Sequence, residues 1–298
     1  MYKRPDEWES FYIEMTIRAK TYIQINYWNI TEEELSLWLS NFESEEEKFL
    51  SAVLIYRLIY RNEQPRLSMY HHIIEILLPS ILEQKSIYTI TSLDQFHHDI
   101  KHTFHNIPFR FATIEGVDGR ASKSGHEILR SFVRKGSIHH NLETSISNVK
   151  NLDRNHVKAI VLFDDIMGTG EQFDTYLQNF QAELNDFTLI YCPLTAHIDA
   201  INHIKQKYPH VSVSPVEILD NKYAFFNKDF MPKIAEHINM DDFQEFYYKF
   251  MKAKTKLKQN LLGKGDQSLL YIFDVSSPNN SLPILTYEDE NWHKLFPR

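Results

Sequence analysis

The sequence predicts an α/β protein on a mainly parallel sheet, preceded by a helical extension and closed by a hood-like C-terminal segment. Three observations carry this. Short apolar runs at 109–114, 159–163, 187–193 and 211–216 are rich in β-forming residues and alternate with helical stretches, the pattern of strands joined by crossovers. From Thr31 to about residue 85 the periodicity is helical instead. The 8 glycines are gathered into a few places, chiefly Gly116/Gly119, Gly168/Gly170 and Gly263/Gly265, so backbone freedom is concentrated in a few loops.

In chain order, Thr31 followed by three glutamates is a helix start, with a capping hydroxyl and acids at the positive helix end; Ser44 repeats the signal. Phe49, Ala52, Val53, Ile55, Tyr56, Leu58 and Ile59 form a dense apolar stripe, Pro65 is expected to break it, and another helix is expected from Tyr70 to Leu78. These features predict a helical extension over 1–88, an α/β core over 89–255, and a strand (268–275) with a tail packing on the core over 256–298.

Composition narrows the function. Apolar residues make up 43% of 298, enough for a packed core, and a net charge of -8 argues against broad binding to nucleic acid or anionic membranes. Cys192 is the one cysteine, so no internal disulfide forms. The charged first ten residues lack the apolar core of a signal peptide, and no run approaches the ~18 apolar residues of a membrane span. A cytoplasmic protein without membrane contact is the expectation.

One motif combines two chemistries. The strand at 159–163 delivers Asp164 and Asp165 to its C-terminal end, where open α/β sheets bind ligands. Gly168, Thr169 and Gly170 then form a turn whose amides and hydroxyl can surround a phosphate, with a helix N-terminus behind them. Carboxylates beside an anion cradle suit a ribose phosphate: the acids accept from sugar hydroxyls while the loop holds the phosphate. Upstream, a second strand runs through a loop containing Arg120, Lys123, Ser124 and Gly125 into a helix carrying Ile128, Leu129 and Phe132; alternatively, Ser122 or Ser124 merely caps that helix. The polar segment at 134–145 is a connecting loop or a lid.

Four apolar residues, two acids, two mostly apolar residues and a short Gly/Thr loop resemble the signature of type I phosphoribosyltransferases, and Lys123-Ser124-Gly125 resembles their pyrophosphate loop. The resemblance implies a sheet of that kind and phosphoribosyl pyrophosphate, or a related ribosyl phosphate, as ligand. It implies that Asp164 and Asp165 orient the ribose, that Gly168, Thr169 and Gly170 with Glu171 and Gln172 hold the 5'-phosphate, and that Lys123, the Ser124 and Gly125 amides and Arg120 or Arg130 hold the diphosphate. Mg2+ would be held by the ligand with Asp164 and Asp165. Gln172 stands where Ser or Thr is usual, and Gly168 where an acid or serine is common; Gly168 cannot act as a base, which disfavours the purine-salvage type.

The tail, Gly263-Lys264-Gly265-Asp266-Gln267, then Pro278 to Leu285 and Trp292 to Arg298, is similar to phosphoribosyltransferase-related effectors of bacterial conflict and antiphage clusters, including retron-associated ones. That similarity implies a toxic effector restrained by a partner protein or a ribonucleoprotein (a reverse transcriptase with its nucleic acid), with the N-terminal helices as docking surface. The alternative is a non-catalytic module that senses a nucleotide or ribose phosphate.

Other clusters carry less. His98, His102 and His105 share a helical face after Asp94 but lack the ligands of a closed metal site, so they are expected to be solvated. Lys252, Lys254, Lys256 and Lys258 suit an exposed face more than a nucleic-acid site. The aromatic stretches at 223–226 and 243–250 suit either a base-stacking hood or core packing.

Overall fold

A computed structural model describes residues 2–102, 106–114, 123–134 and 137–297, apart from the side chains at 123–127 and 132. The chain begins with α1 (Trp8–Gln24), α2 (Glu32–Leu39), α3 (Glu45–Arg57) and β1 (Ile59–Arg61). Next come α4 (Glu63–His72), a π-helical turn (Ile73–Leu77), α5 (Leu78–Gln84), α6 (Leu93–His102) and β2 (Phe109–Thr113). The middle holds α7 (Lys123–Arg134), α8 (Ile146–Val149), β3 (Ala159–Met167), α9 (Glu171–Asn179), α10 (Gln181–Leu184) and β4 (Thr188–His197). The rest comprises α11 (Ile198–Lys207), β5 (Ser212–Val213), β6 (Glu217–Leu219), α12 (Met240–Lys254) and β7 (Tyr271–Phe273), with short 3-10 turns between.

Helices α2 and α3 start where expected, each with a capping box: Thr31 and Glu34 exchange backbone and side-chain hydrogen bonds, as do Ser44 and Glu47. Each box satisfies amides that a helix leaves unpaired. Pro65 does not break a helix as expected. It sits in the first turn of α4, where no intrahelical N–H bond is lost. The irregularity comes later, where the Leu78 N–H donates to Ile73 C=O, five residues back. Pro79 explains it, since its ring collides with the carbonyl four residues earlier and forces the preceding turn to widen.

The chain divides into two compact units, Met1–Gln64 with Asp220–Arg298, and Pro65–Leu219. These limits differ from the 88/89 and 255/256 boundaries expected from sequence, because the two ends of the chain fold together. Parallel pairing joins β1 to β7 through Ile59↔Tyr271, Tyr60↔Ile272 and Arg61↔Phe273. Trp38 Nε1 donates to Ile284 O at 2.9 Å, and Asn41 exchanges two hydrogen bonds with His293. Phe225, Phe243, Tyr247 and Phe250 are buried in this unit's core, so the aromatic stretches pack rather than form an open stacking surface. The first two tail motifs are halves of one clasp. Lys264 N–H donates to Asn279 O, Asn280 Nδ2 returns a bond to Lys264 O, and Leu269 N–H donates to Asn280 O. Gly263 adopts φ 78°, ψ 173°, and a Cβ there would lie 2.4 Å from Asn280 O, so only glycine fits.

The second unit holds a parallel sheet of order β2-β3-β4-β5, with β6 also on β4. The mixed α/β fold with parallel strands is the one expected. Pro193 sits inside central strand β4, where proline is normally excluded. Its carbonyl accepts from Val216 N–H, so its missing N–H faces the same side and falls in the gap between β5 and β6. The 211–216 run is accordingly split between β5 and the approach to β6.

Candidate functional site at the end of β3

β3 is longer than its apolar run suggested. It continues through Asp164 and Asp165 to Met167, because β4 continues beside it and pairs Ile166↔Thr195 and Met167↔Ala196. Strand alternation starts the two side chains on opposite faces, yet their carboxyl groups come close enough to interact. Asp164 shares the face of Leu162, which is in register with Tyr191, and lies among the core residues under α9 and α11. Only 4% of it is exposed. Its Oδ2 accepts from Tyr191 OH at 3.1 Å and its Oδ1 from Asp165 N–H at 3.0 Å, while Phe173 stacks on Tyr191 with ring centroids 4.0 Å apart. Burial first, and the Asp165 charge second, push the Asp164 carboxyl well above the usual carboxylate range. Burial and the neighbouring Asp164 likewise push the Tyr191 hydroxyl upward. Asp165 Oδ1 accepts from Ile166 N–H at 2.8 Å on the other face.

Beyond Met167 the chain turns through Gly168, Thr169 and Gly170. Gly170 caps α9 at φ 82°, the left-handed region that glycine reaches without strain. Thr169 Oγ1 accepts from Glu171 N–H at 3.4 Å, and the first α9 N–H groups, which have no intrahelical acceptor, point back toward the loop. Glu171 and Gln172 occupy the exposed side of this first turn. Asp174, one turn in, ties α9 to α11. Partial burial raises its carboxyl, but bonds from Lys207, Tyr208 and Gln178 outweigh this and hold it below the usual range.

Helix α7 begins at Lys123, so Lys123, Ser124 and Gly125 form its first turn instead of a loop before it. Arg120 lies outside the described residues, as do Ser122 and His105; Arg130 is exposed on α7. From Ile138 onward the 134–145 segment is anchored, with Ile138 and Leu142 buried and Thr144 N–H donating to Phe111 O along the edge of β2. This anchored part suits the connecting loop, here covering the edge of β2, better than the lid. The late lysines are partly paired: Lys254 with Glu43 and Lys256 with Glu290.

Tyr191 and Phe173 were not among the site residues expected from sequence. A faint signal was present, since Tyr191 carries the only side-chain hydroxyl in the 189–193 run, in register with Leu162, two positions before Asp164.

The PRTase-CE family model matches residues 35–298. The chain belongs to the PRTase-CE family. This bears out the resemblance to phosphoribosyltransferases. Among solved structures, a xanthine-guanine-hypoxanthine phosphoribosyltransferase of Helicobacter pylori is similar over 54% of this chain and 86% of its own, with 12% identity and TM-score 0.30. An orotate phosphoribosyltransferase from Aeropyrum pernix is similar over 37% of this chain and 58% of its own, with 12% identity and TM-score 0.26. No curated protein matches the sequence. Among the described residues of this PRTase-CE protein, no helix is long and apolar enough to cross a membrane, and no group of three or more His, Cys, Asp or Glu could hold a metal ion.

Proposed function

We propose that this PRTase-CE protein binds a 5-phosphorylated ribosyl ligand at the end of β3 and transfers its ribosyl group, with phosphoribosyl pyrophosphate or a related ribosyl phosphate as donor. The observation that carries the proposal is the run of strand, Asp165, Gly170 at φ 82° and α9 N-terminus within six residues of chain. Asp165, which also accepts from Ile166 N–H, has carboxylate oxygens of the kind that bind ribose hydroxyls. The loop amides, the Thr169 hydroxyl and the α9 N-terminus suit the 5'-phosphate. The first turn of α7, with Lys123, Ser124 and Gly125, suits the leaving diphosphate.

Transfer breaks the bond between C1 and the diphosphate oxygen, which leaves with the electron pair as the acceptor's nucleophile bonds to C1. The donor set fits Mg2+ held mainly by ligand oxygens with Asp165, the usual arrangement at phosphate sites, and such an ion would neutralise diphosphate charge. Both acids are buried, and Asp164 suits this less because it is bonded to Tyr191. A sensor role is the second reading, favoured by Gly168, which offers no side chain as a base. The physiological proposal is a cytoplasmic effector of bacterial antiphage defence, restrained by a partner protein or a reverse-transcriptase ribonucleoprotein. It is supported by the similarity of the tail.

Calorimetric titration of phosphoribosyl pyrophosphate with Mg2+ into wild type and Asp165→Asn tests the site, with pyrophosphate release followed alongside. Saturable binding by wild type, weakened at least ~10-fold in Asp165→Asn, is expected, since one charge-assisted hydrogen bond contributes about 1.5–3 kcal/mol. Wild type that binds nothing sinks the proposal. Binding without release, unaffected by Lys123→Ala, selects the sensor.

A further inference from the structure

One edge of the parallel sheet is covered and the other is open. Along β2 the chain after Ile138 lies beside the strand, with Phe111 bridged to Glu143. At the opposite edge the outermost strand is β5, and among the described residues no strand lies beyond it. Ser214 N–H donates to Tyr191 O on β4, so Ser212 and Ser214 turn their backbone groups inward. Val213, between them, turns its N–H and C=O outward. An unpaired strand edge is a template for another extended chain, and folds that do not use one block it with charge, proline or a covering segment.

This edge borders a groove of about 610 Å³ within the Pro65–Leu219 unit. One wall is α5, with Ile81 and Lys85; the other runs from Lys205 on α11 to Val211 and Val213. Lys85 and Lys205 are the charged residues among those lining the groove, and both are exposed. Neither is in an ion pair among the described residues, whereas Lys207 on the same helix is held by Asp174. On a chain of net charge -8 the groove is therefore locally positive. Two lysines are few for nucleic acid, whose binding rests on many phosphate contacts.

We propose that this groove docks an extended, acidic peptide segment of a partner protein, which adds a strand to the sheet at β5. The peptide backbone exchanges hydrogen bonds with Val213, its carboxylates meet Lys85 and Lys205, and its alternate apolar side chains rest against Ile81 and Val211. None of these residues belongs to the site at the end of β3, so the proposal is independent of the ribosyl reading.

The test selects a phage-displayed library of short random peptides on the full chain, then titrates the enriched peptide into 15N-labelled protein. Enriched peptides are expected to combine Asp or Glu with β-forming residues. They should shift the Lys85 and Ser212–Ser214 amides and slow hydrogen exchange at Val213, which in the free chain exchanges faster than Ser214. Reversing both exposed lysines, Lys85→Glu with Lys205→Glu, should weaken binding at least ~5-fold. The proposal is overturned by a library that yields no binder, by binders without acidic residues, or by shifts that bypass Ser212–Ser214. It is equally overturned by binding that the charge reversal leaves intact, by a single-stranded oligonucleotide shifting the same amides, or by a Val213 amide already protected in the free chain, whether by self-association or by the fold. The wild-type titration and exchange decide the matter even where the variant does not fold.

Discussion

Asp164 is a carboxyl that the fold holds against its ionised form, and Asp164→Asn exposes the consequence. Its pKa is raised well above the ordinary value by burial and by the Asp165 charge. A carboxyl raised on folding adds stability that is fully present below its unfolded value, near 3.9, and is lost as pH rises through the folded value. The loss accrues at about 1.4 kcal/mol per pH unit across that window. Asparagine keeps the shape, accepts the Asp165 N–H, and can donate to the Tyr191 oxygen, so the variant has no such slope. Asp164→Asn is therefore expected to be no more stable than wild type near pH 4 and to gain on it by about 1.4 kcal/mol per unit above that, up to the pH at which the folded Asp164 ionises. All four tryptophans, Trp8, Trp28, Trp38 and Trp292, lie in the unit built from the chain ends, so their fluorescence is blind to β3. Hydrogen exchange of β3 amides such as Val161 and Leu162, compared between the two proteins at each pH from 4 to 8, reads the right unit. A stability difference that stays constant across that range would refute the assignment of a raised Asp164.

Three further outcomes follow from single residues. Gly170→Ala places a side chain at φ 82° with its Cβ at an ordinary 3.5 Å from Ala200, so it should destabilise by only ~1–2 kcal/mol in urea titration while ribosyl-phosphate binding falls sharply. Gly263→Ala adds a 2.4 Å collision with Asn280 O to a glycine-only conformation and should cost about 2–5 kcal/mol, followed by tryptophan fluorescence. Arg57 is buried, with its guanidinium pulled down to about 10 by desolvation, and donates to the carbonyls of Lys222, Ala224, Phe225 and Asn227. Arg57→Met should cost at least ~2 kcal/mol, since each buried carbonyl left without a donor costs ~1–3 kcal/mol, and should loosen the 222–231 loop first in hydrogen exchange.

Local signals were legible and long-range ones were not. Thr31 and Ser44 announced their helices because a capping box is completed within four residues. The strands at 109, 159 and 187 announced themselves through β-formers flanked by helices, and Gly168-Thr169-Gly170 through its glycines. The strand expected at 268–275 gave no sign that β1 would be its partner, because a three-residue parallel contact between chain ends is specified by the surrounding core and not by its own residues. Asp164 and Asp165 read as the end of a strand because charges rarely continue one. They continue it here because Tyr191 and the paired end of β4 accommodate them. The tail motifs were visible as patterns, yet their physical meaning, a glycine-dependent clasp, needed the Gly263 and Asn280 geometry.

The surroundings of β3 separate two acids that look equivalent in sequence. Two adjacent ionised carboxylates in a mostly buried strand would repel each other and lack solvent, so one is expected to give up its charge. The fold decides which one: the face carrying Leu162 and Tyr191 lies under α9 and α11, so Asp164 is the one whose ionised form burial disfavours. Its bonds to Tyr191 and to the Asp165 N–H then fix the backbone from which Asp165 projects. Under the proposed function Asp164 is a positioning residue and Asp165 the one that meets the sugar. Asp164→Asn should accordingly retain ribosyl-phosphate binding under conditions where Asp165→Asn loses it, a distinction that two interchangeable carboxylates would not produce.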